Sequence, residues 1–464
     1  MFDFLGEYWK KITSAILSML LLFVTSFVGD VPKAKDPIIA TRTDYSFDTD
    51  RILIGGYNYN INYTDDEHVG YVRDAGIDFL VTRANEDFLD ACERFGIGVI
   101  AKNYSGLPTY GWTNIDRTEN CPWLTFSPED FNDHPAVWGN DLMDEPAADS
   151  FPYLAEMMKS YYGKTDGKLA YINLYPAYAN EEQLGTTADW FAFSKEYQRI
   201  NSYQKHVNAY IEAIDSDYIS VDIYPLRMKI DKTSGKPYKY TEMTWLKNLD
   251  ILATACRNTN RDLWVITQAT GEYFDGSHGV SRIPNEDEIR WQVYAALSFG
   301  AKAIIHACYQ QGWWYEGSHM INSAGERTPT YYYVQAVNQE IRALSDVYMD
   351  YDNLGAFVHN PMREEFTRMA ISKPNFNAIS DIQSEETLLV GCFEEKEGDG
   401  VAFTMVNMTE IGREQTATAS FKLDGASSVT VYAAGVPSTL TPDADGNYSL
   451  TLSPGEGVFV TVEY

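Results

Sequence analysis

From residue 51 onward, short runs of consecutive apolar residues alternate with stretches whose apolar positions recur every three or four residues. The first kind reads as strands buried on both faces, the second as amphipathic helices packed over them. Arg51-Ile-Leu-Ile-Gly-Gly-Tyr57 opens the series. Thr64-Asp-Asp-Glu67 then predicts a helix start, with Thr64 as N-cap and Glu67 three residues on, and the helix ends at Gly76. Further strands are predicted over 77–82, 97–101, the run ending at Pro146, 169–174, 218–224, 263–268 and 303–307. Helices are predicted over 86–95, 151–162, 197–214, 243–257, 286–299 and 329–344.

Eight strand–helix alternations over this length predict an α/β fold, a (β/α)8 TIM barrel. A doubly wound open sheet is the alternative, but no GxGxxG follows the first strand. Past residue 351 the period changes. Short alternating runs at 387–391, 400–406, 428–432, 448–452 and 457–462, separated by Asp-Gly turns, predict an all-β sandwich. The expected organisation is therefore a leader or anchor over 1–35, the barrel over 36–350 and a C-terminal β-sandwich over 351–464, packed directly on the barrel.

The leader rests on Lys10-Lys11 followed by an apolar run over 12–28. A basic flank before a short apolar core is the pattern of a secretory signal peptide, and a retained membrane anchor fits equally. Either implies a secreted or cell-surface protein. A net charge of −30 argues against nucleic acid, whose phosphates would be repelled. Five scattered cysteines (Cys92, Cys121, Cys256, Cys308, Cys392) and seven histidines show neither CxxC nor HExxH spacing. No disulfide framework, structural metal or cofactor is expected. Thirty-three Tyr and 10 Trp suit stacking on sugar faces as well as ordinary cores.

In a barrel, the residues at the strands' carboxyl ends share one mouth. That mouth would collect Tyr57, Lys102, Asn103, Asp144, Glu145, Asn173, Tyr175, Asp222, Tyr224, Gln268, His306, Tyr309 and the Trp313-Trp314 pair, with Glu272 four residues beyond strand seven. Acids and amides hydrogen-bond hydroxyls, and two carboxylates flanking a bond are the minimum for glycoside hydrolysis. The same residues have plainer readings: Asp222-Ile-Tyr-Pro225 as a strand end, His306 as an interior histidine. Strand alternation would turn Asp144 and Glu145 to opposite faces.

Trp138-Gly-Asn-Asp-Leu-Met-Asp-Glu-Pro146 resembles the strand-four ending, Asn-Glu-Pro, of a large clan of (β/α)8 glycoside hydrolases. Residues 290–304 are similar to the last helix–strand unit of its β-galactosidase-like members, and Pro454-Gly-Glu-Gly-Val-Phe-Val to the closing strand of their sandwich domains. The resemblance runs from about residue 50 to the end. It implies cleavage of O-glycosidic bonds in a carbohydrate substrate, with Glu145 as general acid/base and the remaining mouth residues as sugar contacts. Two positions depart from the clan. Asp144 stands where it keeps an Asn that binds the sugar's 2-hydroxyl, and Gln268 stands where it keeps the nucleophilic Glu, leaving Glu272 as the nearest candidate for the second carboxylate. The departure at Gln268 also motivates a different reading, a barrel that binds carbohydrate without cleaving it. A lyase-type barrel has less behind it.

Overall fold

The computed structural model describes residues 50–102, 133–165, 167–190, 192, 194–276, 278–310, 312–371, 373–409 and 415–464. The leader at 1–35, Asn103 and Cys121 lie outside these residues. The expected barrel is present. Eight parallel strands close in the order β1-β8-β7-β6-β5-β4-β3-β2. They are β1 (Leu53–Tyr57), β2 (Phe79–Thr82), β3 (Gly98–Ala101), β4 (Val137–Asp144), β5 (Leu169–Leu174), β6 (Tyr218–Ile223), β7 (Asp262–Gln268) and β8 (Ala301–Ala307). β1 closes the ring by pairing with β8, Leu53 opposite Ala303 and Tyr57 opposite Ala307.

The described helices of the outer ring are α1 (Asp66–Asp74), α2 (Glu86–Phe95), α3 (Phe151–Tyr162), α4 (Lys195–Ala213), α5 (Trp245–Thr259), α6 (Glu286–Ser298) and α7 (Pro329–Met349). Local chemistry sets their ends. Asn85 accepts from the Phe88 amide at 2.9 Å to start α2, and Gly96, at φ +67°, ends it in the left-handed conformation that glycine adopts without strain. Asn285 and Glu288 form a reciprocal capping box at α6. At α1 the cap is Asp65, which accepts from the His68 amide at 3.1 Å, and not Thr64 as the spacing predicted. The Asp65 carboxylate, one residue on, makes the same bond, so the helix starts one residue later.

Two apolar layers result. Leu53, Phe79, Ile100, Tyr171, Tyr218, Trp264 and Ile305 fill the barrel interior, and the outward faces of the same strands pack under the helices. Between β6 and α5 an antiparallel hairpin, Leu226–Ile230 with Pro237–Thr241, rises over the mouth and pairs with Val280–Ser281. The periodicity had not announced it.

The C-terminal module is a sandwich of a six-stranded antiparallel sheet and a three-stranded one. It leans on α6 and α7. Ser298 Oγ and Thr404 Oγ1 lie 2.7 Å apart, Trp291 Nε1 donates to Met408 Sδ at 3.0 Å, and the Tyr348 ring meets Phe393 and Phe459 edge-on at 5.6 Å. Gly391 makes this approach possible, because a Cβ there would sit 2.4 Å from the Ser298 carbonyl oxygen. The Gly391→Ala variant is expected to lose about 1–3 kcal/mol of stability, the usual cost of overpacking a close contact. Urea unfolding measures it, and a loss within experimental error would show that the interface gives way freely.

Candidate active site

The site begins with an irregularity in β4. Its pairing with β5 slips between Asp141 and Met143, so Leu142 and Met143 both pack in the outer layer. Asp141 and Asp144, three residues apart, then both face the interior, which strict alternation forbids. One residue further, Glu145 takes φ +52° while its amide donates to the Asn173 carbonyl at 2.8 Å. A left-handed residue ends the pleat, so the expected opposition of Asp144 and Glu145 does not hold. Both carboxyls act on one neighbourhood. A non-glycine residue there stores about 1–3 kcal/mol of strain, a cost that other contacts must offset.

Asn173, on β5, organises the acids. Its Nδ2 donates to Asp144 Oδ1 at 3.1 Å and to Asp222 Oδ1 at 3.0 Å, and its Oδ1 accepts from Ser220 Oγ at 3.1 Å. Tyr171 OH lies 2.8 Å from that same Ser220 oxygen. Because Ser220 supplies the proton to Oδ1, the amide has one orientation, with its NH2 toward the carboxylates. Tyr57 OH donates to the other Asp144 oxygen at 3.0 Å. Lys102 stands 3.8 Å from Asp141 Oδ2 and 3.6 Å from the centre of the Tyr57 ring.

Crowding in this space, with one lysine against Asp141, raises three of the acids. Burial pushes Asp141 up to about 7, opposed by Lys102 and supported by Asp144. Burial and the Asp144 charge push Asp222 up to about 7. At Glu145, burial, then the charges of Asp222 and Asp144, and a hydrogen bond shared with Asp222 hold the carboxyl well above the usual range. So biased toward its protonated form, the Glu145 carboxyl remains partly open to solvent at the end of β4.

Aromatic rings form the facing wall. Tyr224 meets Trp314 edge-on at 4.7 Å and lies 6.1 Å from Trp313, whose ring is 5.6 Å from Tyr57. Trp313 is exposed. Burial first, and then the nearby Glu145 and Asp222 charges, raise the Tyr175 and Tyr178 phenols, and the Arg227 guanidinium lies 5.1 Å from the Tyr178 ring. Asp141, Tyr178 and Arg227 were absent from the candidate list. A strand slip placed Asp141, and the unannounced hairpin carries Arg227.

Tyr57, Asp144, Glu145, Asn173, Tyr175, Asp222, Tyr224, Trp313 and Trp314 thus share one mouth. Three expected members, Gln268, His306 and Tyr309, point elsewhere, and a fourth, Glu272, is engaged by its own loop. Gln268 is fully buried. Its Oε1 accepts from the Leu226 amide at 3.0 Å, and its Nε2 donates to the carbonyls of Arg282 at 2.7 Å and Leu226 at 3.3 Å. The side chain ties the hairpin to β7 and has no group left for a sugar. His306 points outward between Thr267 Oγ1 (3.2 Å) and Asn338 Oδ1 (2.8 Å), and burial holds its imidazole down at about 4. Tyr309 turns into the outer layer, its ring 5.7 Å from that of Tyr59. Glu272 pairs with its own loop. One carboxyl oxygen accepts from the Ser281 amide at 3.4 Å and the other lies 3.6 Å from His278 Nε2, while the charges that act most strongly on Glu145 are Asp222 and Asp144.

Among the described residues, Asp90, Glu93 and His134 come close enough together to surround an ion. His134 Nδ1 accepts from the Ala136 amide at 3.1 Å, so the neutral ring carries its proton on Nε2, the atom facing both carboxylates. A cation would need that nitrogen's lone pair, so the trio reads as a hydrogen-bonded surface cluster.

The closed barrel thus carries an acid cluster at its strands' carboxyl ends, with the sandwich packed behind it. No family model and no curated protein matches the chain. Solved structures do. A cycloisomaltooligosaccharide glucanotransferase from Paenibacillus sp., complexed with cycloisomaltoheptaose, matches at TM-score 0.52 and 9% identity over 90% of this chain and 86% of its own. The GH42 β-galactosidase Gan42B from G. stearothermophilus, a catalytic mutant, matches at 0.47 and 7% over 91% and 99%. A glycoside hydrolase family 30 subfamily 8 xylanase, Xyn30A from Clostridium acetobutylicum, matches at 0.38 and 12% over 89% and 97%. At such identities the likeness is one of fold, and fold alone does not assign chemistry.

Proposed function

We propose that this chain is a glycoside hydrolase in which Glu145 protonates the leaving oxygen and then, as carboxylate, activates water. The observation that carries this reading is the Glu145–Asp222 contact. A carboxyl biased toward its protonated form by burial and neighbouring anions, beside carboxylates and near aromatic rings, suits transfer of a proton to a glycosidic oxygen. Asp222 keeps the proton on Glu145, and Asp144, fixed by Tyr57 and Asn173, presents an acceptor to the sugar. A panel of aryl glycosides assayed with the wild-type chain tests the reading. Saturable hydrolysis of at least one member is expected. Sugar binding without turnover of any would leave the binding-only barrel in its place. Gln268, which motivated that alternative, does not favour it, because its side chain serves the backbone.

The pH dependence carries a sign. Asp222 is the strongest charge raising Glu145. Replacing it with asparagine removes that charge, so Glu145 loses its proton at lower pH. The alkaline limb of kcat/KM should therefore move to lower pH in Asp222→Asn. An unmoved limb would separate the two groups.

A further inference from the structure

The acids of the mouth sit on one side. Asp141, Asp144 and Glu145 come from β4 and its end, Asp222 comes from β6, and Asn173 lies on the strand between them. Opposite them, β1 and the chain after β8 present Tyr57, Trp313 and Trp314, and β7 ends in a glutamine turned to the backbone. Cleavage through a covalent glycosyl-enzyme needs a second carboxylate about 5–5.5 Å from the acid, across the anomeric carbon. The rings just named line that far wall, and Glu272, the carboxylate that follows β7, is engaged by the Ser281 amide and His278. Asp222 is too close to serve, since it shares a hydrogen bond with Glu145 itself.

A sugar can bring its own nucleophile. The carbonyl oxygen of an acetamido group on C2 reaches C1 from the face opposite an equatorial leaving group. It then needs an acceptor to orient its N–H and a slot for its methyl. Asp144 supplies the acceptor: one oxygen takes the Tyr57 hydroxyl and the other the Asn173 amide, and each keeps a second lone pair. A carboxylate can only accept, which suits an N–H partner. The Tyr224, Trp313 and Trp314 rings offer the apolar slot.

Resting on the glycosidase reading above, we propose that the substrates are β-linked glycosides of 2-acetamido-2-deoxy sugars, and that the substrate's own amide, oriented by Asp144, displaces the leaving group. In the first step the acetamido oxygen bonds to C1 as the C1–O bond breaks, and the Glu145 proton passes to the departing oxygen. The resulting oxazolinium donates its N–H to Asp144. In the second step water bonds to C1, its proton goes to Glu145, and the C1–oxygen bond of the ring opens to restore the amide. One water is consumed and the anomeric configuration is retained.

The test varies the substrate and leaves the protein intact. Nitrophenyl 2-acetamido-2-deoxy-β-glycosides of the gluco and galacto series are compared with their 2-hydroxyl counterparts and with N-fluoroacetyl, N-difluoroacetyl and N-trifluoroacetyl analogues. The acetamido compounds are expected to exceed the 2-hydroxyl ones in kcat/KM by at least ~10²-fold. The rate should fall with each fluorine, which weakens the carbonyl as a nucleophile. Equal or faster turnover of 2-hydroxyl glycosides would overturn the proposal while leaving the glycosidase reading in place. So would a covalent adduct captured by mass spectrometry with 2-deoxy-2-fluoro glycosides. No turnover of any glycoside would remove both.

Discussion

Glu145→Gln is expected to lower kcat/KM on a glycoside with a poor leaving group by ~10²–10⁴-fold, the usual contribution of a positioned general acid. The loss should depend on the leaving group. A dinitrophenolate departs without a proton, so its release should be affected far less than that of a methylumbelliferyl or an alkyl group. Deprotonation of water, the second role of Glu145, is lost as well, so intermediate breakdown becomes slow and a burst should precede a reduced steady state on the activated substrate. Folding should survive. The amide can still donate toward Asp222, and the position stays partly open to solvent. A thermal midpoint within experimental error of wild type separates lost chemistry from lost structure. Undiminished turnover of the unactivated glycoside would remove Glu145 from the mechanism.

The same residue marks how far sequence pattern reaches. Asp144-Glu145-Pro146 is visible because an apolar strand ends in acids at a position where barrels place their chemistry. Its geometry is not. Glu145 sits at φ +52°, and β4 slips against β5 before Asp144, so the period-two rule fails at both residues that matter. Such departures gather at functional sites, where packing elsewhere offsets their cost.

The helix starts at Glu86 and Glu286 were legible, and Asn85 and Asn285 cap them; at α4 Ser194 caps a start two residues ahead of the predicted one. The hairpin at 226–241 was not legible, because Lys229, Asp231, Lys232, Lys236 and Lys239 give it the composition of a loop. Which way a strand's last residue points depends on how the whole ring closes. Gln268 and His306 therefore looked like mouth residues in the chain and are not in the fold.

Gln268→Glu poses that last point as an experiment. By resemblance to the clan, this substitution restores an acid at the strand-seven position and would be expected to create or improve a nucleophile. The structure predicts a loss of stability instead. Gln268 Nε2 donates to the carbonyls of Leu226 and Arg282, and Oε1 accepts from the Leu226 amide, with the whole side chain out of solvent. A carboxylate would face two carbonyl oxygens that it cannot satisfy, and removing one partner of a buried polar network costs about 3–5 kcal/mol when charge is left unpaired. The sign with pH follows. Burial against carbonyls raises the new carboxyl's folded pKa above its unfolded value of about 4.3. Below that value it is protonated in both states and can donate to one carbonyl, so the deficit is small. As pH rises through it the unfolded chain gives up the proton and the folded one keeps it, and the deficit grows until the folded group ionises too. Urea unfolding at pH 4 and pH 8 should therefore show a penalty that widens with pH, with no gain in glycoside turnover. A pH-independent stability equal to wild type, accompanied by faster hydrolysis, would mean that position 268 reaches the mouth after all.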